Sequence, residues 1–475
     1  MKLALVLVAA LVAPVLASPL TFPVHEVPSQ HVTVVPHQTL YLNKCETGCD
    51  IKIGAPDANT NTTDLGSKAA TFQMFAWNPG EWDAIVKCVQ EVYSPYDITV
   101  TDVRPTGAFN ENIVAGSPSD IGSDPGAGGI ADYSNDCSPL LGAVSFTFAQ
   151  SAADTFAQED NNNRVWGVCW IIAQESAHAY GLPDHEYQFV DTNESTCSDP
   201  MTYRPDCGGE KFFRNRQALC GGFMQQACRC APTVNSHLRL TAILGAGMST
   251  VEPPTSAITT PAAGAVASGF VVHANAGSRR GIGHVDLYLN GHNWATTPGL
   301  KFGAAGQPNP GDYALTAPQT VPDGVIDVVA KAYDDIGTET DSATVTVTKG
   351  APCASADTCL KGQKCDAGKC FWETPTGMLG DKCSYNEFCV SNLCQDSDIG
   401  QYCSQPCINN VADSCPMGFQ CIATSDAQGV CLPNGAGGGG GGCCSVGPES
   451  RRGVWAHIGL GLFVFGLVLR RRRRH

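Results

Sequence analysis

The residues best placed to do chemistry lie in one stretch, Gln174-Glu175-Ser176-Ala177-His178-Ala179-Tyr180-Gly181-Leu182-Pro183-Asp184-His185. On a helix, positions 174 and 178 are one turn apart and share a face. Gly181 can adopt a left-handed backbone and stop the helix, and Pro183 prevents its continuation. The chain can then double back and bring Asp184 or His185 to the point that His178 faces. An amide, an imidazole and a third donor converging in this way leave one side open, as a catalytic zinc requires. Glu175, beside the donors, is placed to take a proton from an attacking water.

Elements that could hold this stretch are legible around it. Val165 to Tyr180 is mostly apolar and reads as a long buried helix. Trp82 to Tyr93 carries Ile85, Val86, Val89 and Val92 at amphipathic-helix spacing. Thr39 to Leu42, Asp97 to Val103 and Gly142 to Phe148 read as strands. Helices and strands in this order predict an α+β layer with a buried helix over residues 37–247.

The stretch resembles the metzincin signature HExxHxxGxxH and its variant ending in Asp, found in snapalysin-like bacterial peptidases. A QExxHxxGxxH form occurs in the gametolysin-like branch. By position, the resemblance makes Glu175 the general base, His178 and Asp184 zinc ligands and Gly181 the turn residue. Asp199-Pro200-Met201-Thr202-Tyr203 resembles the family's Met-turn, with Met201 beneath the metal and Tyr203 assisting at it. The two motifs cover about thirty residues. The chain departs from the family at Gln174, where the signature has its first His. An amide oxygen is a weaker zinc donor than imidazole, which lowers the expected affinity and leaves room for another divalent metal. His185, one residue past Asp184, is a spare imidazole that could turn inward instead.

The chain has 475 residues, enough for several domains, and 24 cysteines. Ten cysteines fall between Cys45 and Cys230 and twelve between Cys353 and Cys431. Two even blocks predict two disulfide frameworks, and no Cys-x-x-Cys pair suggests a zinc ribbon. Residues 251–349 contain short alternating segments such as His284 to Leu289, Val325 to Tyr333 and Ala343 to Thr348. They predict an immunoglobulin-like β-sandwich. Residues 350–432 have few large apolar side chains and must be held by crosslinks.

Residues 1–17 read as a secretory signal peptide, and 18–36 as a linker or pro-segment. Residues 433–475 hold a Gly-rich spacer, Cys443-Cys444, an apolar run from Val454 to Leu469 and five terminal arginines. This order resembles the MYXO-CTERM sorting signal, which implies processing and display on the cell surface, anchored at the outer membrane. The apolar run would form a helix of about 24 Å, short of a full bilayer core. The net charge of −16 disfavours nucleic-acid binding.

The expected molecule is thus a multidomain, exported, monomeric surface protein. Its parts are an α+β metzincin-like domain, a β-sandwich, a disulfide-rich module and a C-terminal hydrophobic helix. Two functions are open to it. One is zinc-dependent cleavage of protein or peptide substrates. The other is inactive, metzincin-like surface binding or adhesion, which Gln174 and the large share of display modules favour.

Overall fold

The computed structural model describes residues 21–30, 32–156, 161–187, 198–204, 210–300, 309–409, 411, 414–425 and 427–434. The expected signal peptide and nearly all of the sorting segment lie outside the described residues. One compact unit runs through residue 354 and includes 366–370; a second holds 355–365 and the chain from 371 onward.

The first unit opens with nine strands: β1 (Val24–Val27), β2 (Gln38–Asn43), β3 (Cys49–Ile53), β4 (Thr62–Thr63), β5 (Ala70–Phe72), β6 (Ile98–Thr101), β7 (Asn110–Val114), β8 (Gly129–Ser134) and β9 (Val144–Thr147). Six of them form one sheet in the order β1-β8-β9-β7-β2-β6, and β3, β4 and β5 form a small second sheet. The pairings β9 to β7, β7 to β2 and β2 to β6 are parallel. The pair β8 to β9 is antiparallel, and β1 lies parallel to β8 at the sheet edge.

Helices α1 (Glu81–Tyr93), α2 (Ala149–Phe156), α3 (Asn161–Ala179) and α4 (Ser236–Leu244) complete this part. The apolar stripe of α1 is buried at Ile85, Val86, Val89 and Val92, against Ile171, Ile172 and Leu40 of the same core. Disulfide Cys88–Cys169 ties α1 to α3. The connections between parallel strands are what allow helices to cover the sheet. The buried strands still carry polar side chains, as at Asn110, Glu111 and Asn112 of β7. No helix among the described residues is long and apolar enough to cross a membrane.

A second layer of core lies on the other sheet face, around Phe72, Phe109, Phe146 and Phe148. Glu111 of β7 is buried there at 1% exposure. Its Oε1 accepts from Asn43 at 2.8 Å, whereas Oε2 has no partner. Burial pushes its carboxyl up to about 7, against the opposing pull of Asn43 and Arg104. The native state therefore keeps this proton where the unfolded chain has already lost it. Stability from this group is full below the unfolded value and falls as pH rises through about 7. Glu111→Gln should remove that loss. Thermal melts are expected to show the variant more stable by roughly 2 kcal/mol at pH 8 and little changed near pH 4. Equal pH slopes for the two proteins would rule this out.

Residues 255–349 form two facing sheets from β10 (Thr255–Thr260), β11 (Gly264–Val266), β12 (Val271–Gly277), β13 (His284–Leu289), β14 (His292–Pro298), β15 (Gly311–Thr316), β16 (Gly324–Tyr333), β17 (Glu339–Asp341) and β18 (Val345–Lys349). One sheet is β10-β12-β15 and the other β11-β18-β16-β13-β14, with β17 on β16. Strict alternation of burial along β16 puts Ile326, Val328, Ala330 and Ala332 inside the sandwich. The sandwich is joined to the first part by ion pairs and a hydrogen bond. Asp335, held within the sandwich by Arg280 at 2.9 Å, also pairs with Arg214 at 3.4 Å; Arg280 donates to the Phe213 carbonyl, and Arg279 bonds Glu91 and Glu210.

The second unit is short-stranded and crosslinked. Its disulfides include Cys383–Cys394, Cys389–Cys403, Cys407–Cys421 and Cys415–Cys431.

Candidate metal centre

Helix α3 carries the chemistry, and its end is set by Gly181 at φ 89°. The Gly181 amide bonds the His178 carbonyl and the Leu182 amide bonds the Ala177 carbonyl, closing the last turn. A Cβ at position 181 would lie 2.6 Å from the Cys137 carbonyl oxygen and 2.9 Å from Ile243. Both the backbone angle and the close approach therefore demand glycine. The chain then doubles back through Pro183.

His185 is the residue that returns to His178. The two Nε2 atoms lie 3.1 Å apart, with rings at 75°. Asp184, the third ligand by motif position, does not. Its carboxylate is held by Arg229, through the side chain at 2.7 Å and the backbone amide at 2.8 Å. The turn that points residue 185 toward His178 sends residue 184 the other way, and a guanidinium meets it there.

Hydrogen bonding fixes which nitrogen of His178 is bare. His178 Nδ1 is 2.7 Å from the Leu182 carbonyl, which can only accept, so Nδ1 carries the hydrogen. Tyr203 Oη donates to the Phe22 carbonyl at 3.0 Å and lies 3.2 Å from His185 Nδ1. With that hydrogen on Phe22 the hydroxyl accepts from His185 Nδ1–H; with it turned to His185 Nδ1, His185 Nε2–H donates to His178 Nε2. The bare His178 Nε2 faces His185 Nε2 in both arrangements. The cationic form of either ring is opposed by the surroundings. Burial, with Arg229 adding to it, lowers His178 to about 4. Burial, His178 and Arg229 push His185 well below the usual histidine range.

The neighbouring polar atoms are also unspent. Gln174 is fully buried, and its Oε1 has no hydrogen-bond partner. Its amide nitrogen reaches only the Thr202 carbonyl, at 3.5 Å. Glu175 is fully buried with neither carboxylate oxygen partnered, and burial alone pushes its carboxyl well above the ordinary range. Gly129, the first residue of β8, makes room for it, since a Cβ there would lie 2.6 Å from Glu175 Cγ.

The turn at 199–203 supports the rings. Asp199 accepts from the Met201 amide at 2.8 Å, and Trp170 Nε1 donates to the Pro200 carbonyl. The Met201 carbonyl accepts from the Glu186 amide at 2.7 Å, linking this turn to the residue after His185. Met201 is fully buried in the core. Tyr203 stacks on His185 at 4.2 Å between centroids, and burial, with Glu175 adding to it, raises its hydroxyl pKa. Beside the rings lies a cleft of about 340 Å³ bounded by Phe22, His185, Tyr203, Phe223 and Arg229.

Two participants carried no signal in the chain pattern. Phe22, from the segment read only as linker or pro-segment, is 1% exposed and stacks on Tyr203 at 5.3 Å. Arg229, lying between two half-cystines, has no motif context. Only its opposite charge to Asp184 connected the two.

No protein-family model matches the chain, and no curated protein matches it. Among solved structures it is similar to one described as fibronectin(III)-like modules of Clostridium thermocellum CbhA. The identity is 23% and the TM-score 0.17, over 22% of this chain and 50% of that one. The chain thus spans half the length of that structure.

Proposed function

We propose that this protein is an exported, surface-displayed, metzincin-like metallo-endopeptidase acting on protein or peptide substrates as a monomer. The observation that carries the reading is the pair of Nε2 atoms 3.1 Å apart in a buried site that keeps both rings neutral. Two donors each about 2.0–2.1 Å from one zinc ion stand roughly 3.3 Å apart, so the spacing suits a shared ion. The unpartnered Gln174 oxygen, one turn before His178, is the third donor at hand.

A zinc ion held there would acidify a water and polarise a carbonyl. A cation nearby would also draw the Glu175 carboxyl down from its raised value into the ionised form. Glu175 then accepts a proton from the attacking water as the new carbon–oxygen bond forms. It returns that proton to the departing nitrogen as the peptide bond breaks. Tyr203 orients His185 through Nδ1 and stands beside the place where carbonyl charge develops.

The chain stripped with chelator and reloaded should take up zinc, and His178→Ala should weaken this uptake by about 100-fold or more. Metal analysis of dialysed protein reads both. Undiminished zinc binding by His178→Ala would remove the reading. An inactive surface-binding role is the second reading, and the neutral oxygen of Gln174 favours it. It predicts that His178→Ala with His185→Ala takes up as much zinc as the unaltered chain, and no cleavage of peptides.

A further inference from the structure

The strand that covers the cleft carries a second cluster of donors. His25 of β1 has its Nδ1 2.8 Å from Asp132 Oδ1 on β8. Asp64, which follows β4, completes the group. One donor atom from each of His25, Asp64 and Asp132 lies within 4.8 Å of the other two. Donors held about 2.1–2.5 Å from one ion are separated by no more than about 5 Å, so the three can share it.

The cluster also contains an unmet need. Asp132 is 1% exposed, and its Oδ2 has no hydrogen-bond donor. Among the described residues, neither Asp132 nor Asp64 pairs with a Lys or Arg. Burial, with the Asp64 carboxylate opposing the help from His25, pushes the Asp132 carboxyl up to about 7. Two carboxylates this close want either a shared proton or a cation. With a shared proton the imidazole serves only as a hydrogen-bond donor to Asp132; with a cation it becomes a third ligand. His25 and Asp64 are exposed, so water can fill the remaining positions.

We infer that His25, Asp64 and Asp132 form a second divalent-cation site, which clasps the N-terminal strand β1 to β8. A mixed carboxylate and imidazole set suits Zn²⁺ or Mn²⁺ better than Ca²⁺. The clasp has a consequence for the first centre. The four-residue ladder from Val24 to Val27 is short, and its other side-chain tie is Tyr133 to Glu26 at 2.8 Å. Just ahead of this ladder, Phe22 walls the cleft and its carbonyl accepts from Tyr203. Holding His25 therefore keeps Phe22 seated. An ion at the clasp keeps the first centre covered, and its loss lets the segment lift.

The site itself stands independently of the peptidase reading, and the test separates them. Full-length protein is stripped of metal, then titrated with Zn²⁺ and, separately, Mn²⁺. Bound metal is counted in the unaltered chain, in Asp64→Asn with Asp132→Asn, and in His178→Ala with His185→Ala. Two equivalents are expected in the first and one in each double variant. Asp64→Asn alone, at an exposed position, serves if the buried change impairs folding, and should lower affinity at the clasp at least tenfold. In the His178/His185 variant, adding Zn²⁺ should slow proteolytic cutting within residues 28–36 at least tenfold. If that folded variant binds no metal, or Zn²⁺ leaves the cutting rate unchanged, the clasp is wrong, whatever happens at His178. Metal retained there but lost from Asp64→Asn with Asp132→Asn upholds the clasp even if no peptide is ever cleaved.

Discussion

Glu175→Gln is expected to lower peptide hydrolysis by the zinc-loaded chain by about 10²–10⁴-fold while leaving its zinc content unchanged. Glutamine keeps the shape of the side chain and the fit against Gly129, but it cannot accept the water's proton. Both Glu175 oxygens are buried without partners, so nothing in the fold depends on their charge. The sign for stability follows. A carboxyl raised well above its ordinary range by burial destabilises the metal-free fold once pH exceeds its unfolded value. The metal-free variant should therefore melt no lower than the unaltered protein at neutral pH. Hydrolysis is best followed on the intact chain and again after the segment ahead of residue 37 is cut, because Phe22 lines the cleft. Equal rates for Glu175→Gln and the unaltered chain would remove the carboxylate from the mechanism. Lost zinc together with lost activity would make Glu175 a ligand instead.

Gln174→His should tighten zinc binding by at least about 100-fold, since it replaces a neutral amide oxygen with an imidazole on the same helical turn as His178. Competition against a zinc-chelating dye measures the change directly. The gain should shrink below about pH 6.5, where the added ring takes up protons that compete with the metal. An affinity unmoved by Gln174→His would place residue 174 outside the coordination sphere. A rise in activity along with affinity would show that the amide holds the site below its full catalytic power.

Much of the helical scaffold was readable because amphipathic spacing leaves a local mark. Trp82 to Tyr93 agrees with α1 within a residue, and Val165 to Tyr180 falls within a residue of the end of α3. The helix begins earlier because Asn161 to Arg164 precede the apolar run that the pattern follows. Strands β13 and β16 were legible for the same reason, since alternation along a half-buried strand repeats every second residue. Strand β1 was not. Val24 to Val27 is too short to show a period, and its order comes from pairing with residues more than a hundred positions away. The small β3-β4-β5 sheet escaped because β4 and β5, of two and three residues, are too short to show a period.

At the candidate centre, residue types and spacing by themselves determined that Gln174 and His178 share a helical face, that Gly181 ends the helix, and that a donor follows the turn. Those are consequences of local geometry. Which donor returns was decided only by tertiary structure. Asp184 and His185 are adjacent, so one must point away when the other points in, and the outcome depends on Arg229 and Tyr203 arriving from elsewhere in the chain. The bare His178 Nε2 likewise exists only because a carbonyl at Leu182 takes the other ring nitrogen, and the His185 ring is placed by the Tyr203 hydroxyl. Local backbone preference can set a turn, whereas protonation and orientation inside a buried site are set by whichever groups the fold packs around it.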